Sequence, residues 1–300
     1  MSKTISLEML EAHRALIDVL YDSFKVIDPE TKRVMEFRDG RPQPTEKYCY
    51  DRWKRDTPCE NCISFTSKSE NCDMVRLFSA DGCAYFVRAL PVEGTEPPLV
   101  VEFLKDVTNS LFYSAGGSYG DEKYILDAVS NLDTLVIRDQ LTKLYNRRYL
   151  DTRLPADIHA AVERKTALSV IFIDVDNFKH INDTYGHATG DLVLQATAEA
   201  LQSCIGQDGD WAARFGGDEF VVCLTDTDSS AARRIAEHIR EAIGTASVPF
   251  GTETIRFTVS AGIETMSGTA RTAKEMLDTA DRNMYSAKHC GKNCVTAGHI

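Results

Sequence analysis

The chain sets an apolar run, Leu168-Ser169-Val170-Ile171-Phe172-Ile173, directly against acids: Asp174-Val175-Asp176 follow with no turn residue between. A β-branched stretch of this length reads as a strand buried on both faces. It therefore needs a covering layer on each side, and the carboxylates at its C-terminal end border the crevice beyond the sheet. Around it the pattern alternates. Helical periodicity runs from Gly190 to Cys204, and two short apolar runs flank Gly216-Gly217-Asp218-Glu219 as a hairpin. A helix follows over 231–243, a strand over 255–263 and a helix over 273–288. Strand, helix, hairpin, helix, strand predicts an α+β, α-β sandwich class with helices packed on a mostly antiparallel sheet.

This layer system occupies only the second half of 300 residues, which is room for about two domains. Cysteine usage divides the chain: Cys49, Cys59, Cys62, Cys72 and Cys83 fall in the first half, and the other four are scattered through the second. The Gly/Ser-rich segment 114–120 reads as a break. The expected organisation is a domain over 1–115, a linking helix over 116–138 and a second domain over 139–300. In the first domain, Leu10, His13, Ile17, Leu20 and Phe24 carry a helical spacing. β-like runs near 33–38, 84–90 and 98–104 complete a small α+β unit. In the link, Ile125, Val129, Leu132 and Val136 form an a/d seam of two heptads, which fits a dimerising helix or a helix packed on its own domain.

Composition narrows the function. A net charge of -11 repels polyanions, so sequence-independent nucleic-acid binding is disfavoured. No run is long enough for a membrane span, and the first residues lack the signal-peptide pattern. The expected location is cytoplasmic, where nine cysteines are free thiols or metal ligands rather than a disulfide framework. Acids in a turn are common in any fold, so neither acidic pair is diagnostic alone. Together they are: neighbouring carboxylates repel unless a cation holds them. Oxygen-only donors suit a hard ion such as Mg²⁺ beside phosphates. If the hairpin lies against the strand ending at Asp174, the pairs make a phosphoryl-transfer site.

The stretch from Arg214 through Gly216-Gly217-Asp218-Glu219-Phe220 resembles the signature of the GGDEF family of diguanylate cyclases. So does Phe172 through Asp174-Val175-Asp176-Asn177-Phe178-Lys179 to His187 and Gly190-Asp191. Asp139-Gln140-Leu141-Thr142 to Arg148 is similar to the family's opening motif, and Ala280-Asp281, Met284-Tyr285, Ala287-Lys288 and Gly291-Lys292-Asn293 to its last helix and turn. The resemblance covers about residues 135–297. It implies condensation of two GTP into cyclic di-GMP and two pyrophosphates by a homodimer, each domain holding one GTP. It places Asp174, the Val175 carbonyl, Asp218 and Glu219 around Mg²⁺, two ions per active site. It gives Asp218 the general-base position and makes Lys179 a charge-stabilising residue. Asn182 and Asp191 become guanine readers, with Phe178 and His187 beside them, and Lys288 and Lys292 triphosphate binders.

Three departures stand out. Lys292 replaces the usual Arg and cannot make a bidentate phosphate fork. Lys143 replaces a frequent Gly. The family's inhibitory product site, Arg-x-x-Asp, is degenerate: Asp210 remains but neutral Gln207 stands for the arginine, so feedback is expected to be weak or absent. The first 115 residues resemble, more loosely, a PAS-type sensory domain, which implies an input with no specified ligand. Cys59-x-x-Cys62, with Cys49 before and Cys72 after, allows Zn²⁺, an iron–sulfur cluster, a redox dithiol or incidental thiols. His13 and His159 have no metal spacing. The alternatives to a cyclase are a catalytically weak GTP- or cyclic di-GMP-binding module and an enzyme making mixed cyclic dinucleotides.

Overall fold

Residues 4–38, 41–60, 62–108, 137–207, 209–269 and 271–298 are described by a computed structural model. The chain divides into two compact units, Met1–Val136 and Ile137–Ile300. The break at 114–120 and the seam from Ile125 to Val136 lie outside the described residues. No helix among the described residues is long and apolar enough to cross a membrane.

In the first unit six strands, β1 Ser23–Ile27, β2 Arg33–Arg38, β3 Arg41–Tyr48, β4 Met74–Ala80, β5 Cys83–Pro91 and β6 Val100–Asp106, pair antiparallel in the order β3-β2-β1-β6-β5-β4. Asp81 and Gly82, at φ 50° and 77°, close the β4–β5 hairpin with the left-handed pair that a two-residue turn requires. Strand alternation splits the core. Val26, Met35, Val101 and Phe103 pack with Leu10 and Ile17 of α1 Leu7–Ala12 and α2 Arg14–Leu20. Ile27, Phe78, Val87 and Leu104 pack on the other face with Ile63 of α3 Ile63–Ser69 and with Cys49 and Tyr50. The single helix expected from Leu10 to Phe24 is broken at His13 and ends at Leu20. Phe24 instead joins β1, opposite Phe103 in the β6 ladder.

The second unit is the predicted sandwich. Its elements are β7 Tyr145–Asn146, α4 Arg147–Arg164, β8 Leu168–Val175, α5 Phe178–Tyr185, α6 His187–Cys204, β9 Trp211–Gly216, β10 Glu219–Thr225, α7 Ser229–Thr245, β11 Ser247–Phe250, β12 Glu253–Arg256, β13 Val259–Met266, α8 Ala273–His289 and β14 Val295–Ala297. The main sheet is ordered β14-β13-β8-β10-β9-β7, with β13, β8, β10 and β9 mutually antiparallel. All eight residues of β8 are buried, as its composition predicts. Odd-numbered Ile171, Ile173 and Val175 pack under α6 and α7, and even-numbered Leu168, Val170 and Phe172 under α4 and α8. The strand expected over 255–263 is two: β12 pairs with β11 in a separate ribbon, and β13 enters the main sheet.

Helix α8 begins with a capping box, Thr272 and Glu275 each accepting from the other's amide. It lies so close to β13 that a Cβ on Gly262 would stand 2.0 Å from the Met284 amide nitrogen and 2.1 Å from the Ala280 carbonyl oxygen. Backbone cannot swing aside as a side chain can. Gly262→Ala is therefore expected to lower unfolding stability by at least about 2 kcal/mol, at the upper part of the overpacking range. Urea unfolding midpoints check this, and a wild-type midpoint would show that the helix can move off the sheet freely.

Candidate active site

The hairpin does lie against the strand. In the β8–β10 ladder Glu219 is paired with Asp174, and directly opposed residues share one sheet face with Cβ atoms about 4.5–5.5 Å apart. The Val175 amide donates to the Asp218 carbonyl at 3.2 Å, which extends the ladder into the turn. Gly217, at φ 51°, supplies the left-handed step. Its carbonyl accepts two bonds from the Arg214 guanidinium, at 3.0 and 2.7 Å, while Arg214 Nη1 lies 3.2 Å from Asp139.

Asp174 is 6% exposed. Burial is the largest influence on its carboxyl, and Asp218 and Glu219 add repulsion. The Lys288 ammonium, 2.7 Å away, opposes both, and the balance is a pKa raised from 3.8 to about 6. Burial, then the charges of Asp281 and Asp218, likewise push Glu219 upward against Lys288 and Arg147. Lys288 is thus placed by the Gly262 contact of α8 to neutralise part of a crowded acidic group. Asp176, grouped with these acids from the sequence, does something else. It is buried, accepting from the Thr258 hydroxyl at 2.6 Å, the Ser260 hydroxyl at 2.7 Å and the Asn293 amide at 3.0 Å. It ties the turn after α8 to the end of β8.

A second group of predicted residues lines α5 and the start of α6. Asn177, at φ 58°, leads into α5, and its side-chain oxygen accepts from Lys292. Phe178 and Asn182 lie one helical turn apart. The Asn182 Oδ1 is buried with no hydrogen-bond partner. A Cβ at Gly190 would fall 1.9 Å from that oxygen and 3.2 Å from Phe178 Cζ, so glycine lets the Asn182 side chain pack directly against α6 with its oxygen left an unsatisfied acceptor. Leaving such a group unpaired costs about 1–3 kcal/mol, which a donating ligand would recover. His187 is the first residue of α6, after Gly186 at φ 85°, and Lys179, His187 and Asp191 are exposed.

Several contributors are not legible from spacing. Arg214 and Asp139 lie within the motifs but give no hint of their contact. Burial opposes ionisation of Asp139, yet bonds from the Thr142 hydroxyl and amide, with Arg214, outweigh it and hold the carboxyl below its usual range. Arg147 stands over the Phe215 ring at 4.3 Å. Lys143 has φ 61°, which explains why glycine is frequent there in the family. At the positions expected from the sequence to form a degenerate inhibitory site, Asp210 accepts from the Thr225 amide at 2.9 Å, and Gln207 is exposed. Of the four cysteines considered for a metal, Cys49, Cys59 and Cys62 line one cavity in the first unit, whereas Cys72 lies outside that lining and faces Glu70.

No three His, Cys, Asp or Glu groups among the described residues stand ready to hold a metal ion. The metal alternative for Cys49, Cys59, Cys62 and Cys72 is therefore unsupported among the described residues. This does not conflict with Mg²⁺ at the carboxylates, because that ion uses one or two carboxylates and completes its shell with water and substrate phosphates. The donor set at Asp174 and Glu219 is all oxygen, crowded and short of positive charge, and so fits such an ion.

Residues 136–294 match the family described as diguanylate cyclase, GGDEF domain. The chain belongs to this family. It is 37% identical over 188 residues to diguanylate cyclase A of Treponema denticola, covering 58% of this chain and 50% of that protein. It is 40% identical over 171 residues to the response regulator PleD of Caulobacter vibrioides, covering 55% and 37%. The chain thus spans half or less of the length of these curated relatives. The GGDEF domain of DgcB from Caulobacter crescentus, solved in complex with c-di-GMP, superposes with a TM-score of 0.52 at 30% identity, covering 54% of this chain and 93% of that one.

The raised pKa of Asp174 has a signed consequence. Its contribution to stability is full when the group is protonated, below the unfolded value of 3.8, and is lost as pH rises through about 6. The unfolding temperature of the ligand-free protein, relative to Asp174→Asn, is expected to fall between about pH 4.5 and 7. A pH-independent difference would contradict the crowding described for this GGDEF site.

Proposed function

We propose that the chain condenses two GTP into cyclic di-GMP and two pyrophosphates, with Mg²⁺, in a homodimer whose two GGDEF domains each hold one GTP. The observation that carries this reading is the register that sets Glu219 opposite Asp174 beneath the Lys288 ammonium. Mg²⁺ held by Asp174, the Val175 carbonyl, Asp218 and Glu219 would neutralise phosphate charge.

The chain's own groups supply the rest. Lys288 and Lys292 are the cations for the triphosphate, Lys292 as a point charge held beside Asn177. Asp218, its backbone fixed by the Val175 amide, accepts the proton of the 3′-hydroxyl as that oxygen bonds the other GTP's α-phosphorus and pyrophosphate leaves. Lys179 stabilises the charge that develops on the phosphate. The unpartnered Asn182 Oδ1 and the exposed Asp191 carboxylate accept from guanine N–H groups that adenine lacks in that arrangement, while Phe178 backs the base and His187 borders it. One domain presents half of a reaction site, so the second copy is needed for positioning. Because Asp210 is engaged by Thr225 and Gln207 carries no charge, product feedback at that site is weak.

The first unit is proposed as a PAS-like sensor with an unidentified ligand. Support comes from the antiparallel order β2-β1-β6-β5-β4 with the intervening helix α3 over one face, although β3 adds an edge strand.

Incubating the chain with Mg²⁺ and GTP, with and without ATP, and chromatographing the products tests the assignment. Cyclic di-GMP is expected. GTP binding without turnover would make the chain a binding module, and substantial cyclic GMP–AMP a mixed-product enzyme. Asp218→Asn is expected to keep the wild-type unfolding temperature and lose roughly 10²–10⁴-fold in kcat. Gly190→Ala displaces the Asn182 side chain and is expected to weaken GTP binding by at least about tenfold (about 1.4 kcal/mol). Unchanged titration calorimetry for that variant would remove Asn182 from the guanine contacts.

A further inference from the structure

The cysteine-lined cavity of the first unit is not explained by the cyclase reading. It has a volume of about 40 Å³ and lies between the sheet and the segment running from Cys49 to α3, with Lys32, Cys49, Cys59, Cys62, Trp53 and Phe78 on its walls. Three thiols therefore line one small, partly open cavity, and none is in a disulfide.

Lys32 distinguishes one of them. It is only 3% exposed. Its ammonium donates to the Pro29 carbonyl and to Cys62 Sγ at 3.5 Å, and lies 5.1 Å from the Phe65 ring centre. Among the described residues it meets no carboxylate. Lysines are almost never this buried unless paired; Glu102 lines the same cavity but is engaged by Lys25 at 3.2 Å, and the acidic group within hydrogen-bond distance of the Lys32 ammonium is the Cys62 sulfur. Its backbone is anchored as well: Lys32 is left-handed at φ 62°, and its carbonyl accepts from the Cys49 amide at 2.8 Å. The amine is thus fixed between the two stretches that supply the thiols.

We propose that this cavity is an oxidation site for a small hydroperoxide, in which Cys62 is the attacked sulfur, Lys32 its charge partner and Cys59 the thiol that closes a Cys59–Cys62 disulfide. Size selects the oxidant. A water needs roughly 10–15 Å³ of such space, so hydrogen peroxide enters and a glutathione-sized disulfide does not. The neighbours divide the labour. Burial, then the nearby Cys62, pushes the Cys59 thiol up to about 11, and burial, then the charge of Glu102, raises the Cys49 thiol as well. Cys59 lines the same cavity as Cys62 and stands three residues before it in the chain, which makes it the thiol placed to close the link.

The chemistry balances. The Cys62 thiolate bonds one peroxide oxygen as the O–O bond breaks, and hydroxide leaves to take up a proton. The sulfur is oxidised to sulfenic acid and the peroxide is reduced. The Cys59 sulfur then bonds Cys62 Sγ as its S–O bond breaks, and the Cys59 proton departs with that oxygen as water. Two thiols and one hydrogen peroxide give one disulfide and two waters.

The test uses the full reduced chain, exposed to stoichiometric hydrogen peroxide, quenched with N-ethylmaleimide and mapped by mass spectrometry. The expected result is a Cys59–Cys62 link forming at least about tenfold faster than modification of the exposed Cys290. In Cys59→Ser, dimedone is expected to trap sulfenic acid on Cys62. In Lys32→Met the oxidation should slow by at least about tenfold, with circular dichroism confirming the fold; the wild-type map alone decides the matter if that variant does not fold. Equal rates at Cys62 and Cys290, a link to Cys49 or Cys72 instead, or stoichiometric zinc or iron in the anaerobically isolated protein would each overturn the proposal.

Discussion

Like charges forced together at the end of a buried strand set the terms for the second unit. The β8–β10 ladder brings Glu219 beside Asp174, and the turn adds Asp218. Such a group is tolerable only with nearby positive charge. Lys288 supplies part of it, and it can reach because Gly262 lets α8 settle onto β13 at backbone contact. The close helix–strand packing and the electrostatics of the site are therefore one arrangement: a bulkier residue at 262 would disturb both.

The residues proposed to meet GTP come from two sides, and buried polar links hold those sides in register. Asp176 fastens the turn after α8 through the Asn293 amide and β13 through Ser260, with Thr258 just before that strand. Asn177, its neighbour, receives Lys292 from the same turn. Two consecutive residues after β8 thereby fix where the last basic residue stands relative to the first turn of α5. A buried carboxylate with three donors is a well-satisfied network, which is why Asp176, just past the strand, is unsuited to bind a cation while Asp174, two positions earlier and within β8, is suited to it.

Much of this was legible in the amino-acid pattern. The apolar run before Asp174 and the glycine pair before Asp218 announce a buried strand and a tight turn, and β8, β9 and β10 form there. What was not legible depends on partners distant in sequence. Helix α4 is passed over because Pro155 interrupts its propensity, although Leu150, Leu154, Ile158 and Ala161 supply its buried stripe. One strand was expected where β12 and β13 are separate, since both read as apolar alternation and only pairing with β11 or β8 distinguishes them. Asp174 and Asp176 look equivalent in sequence and differ because Thr258, Ser260 and Asn293 converge on only one of them. The cysteines show the same limit: spacing grouped Cys72 with Cys49, Cys59 and Cys62, and the fold leaves it outside the cavity.

Arg214 has one planar head and two unlike clients. It grips the Gly217 carbonyl on one side and Asp139, close to where the polypeptide enters the domain, on the other. A rigid fork of this kind has little slack. The guanidinium of Arg214 thereby joins residue 139 directly to the backbone that carries Asp218 and Glu219.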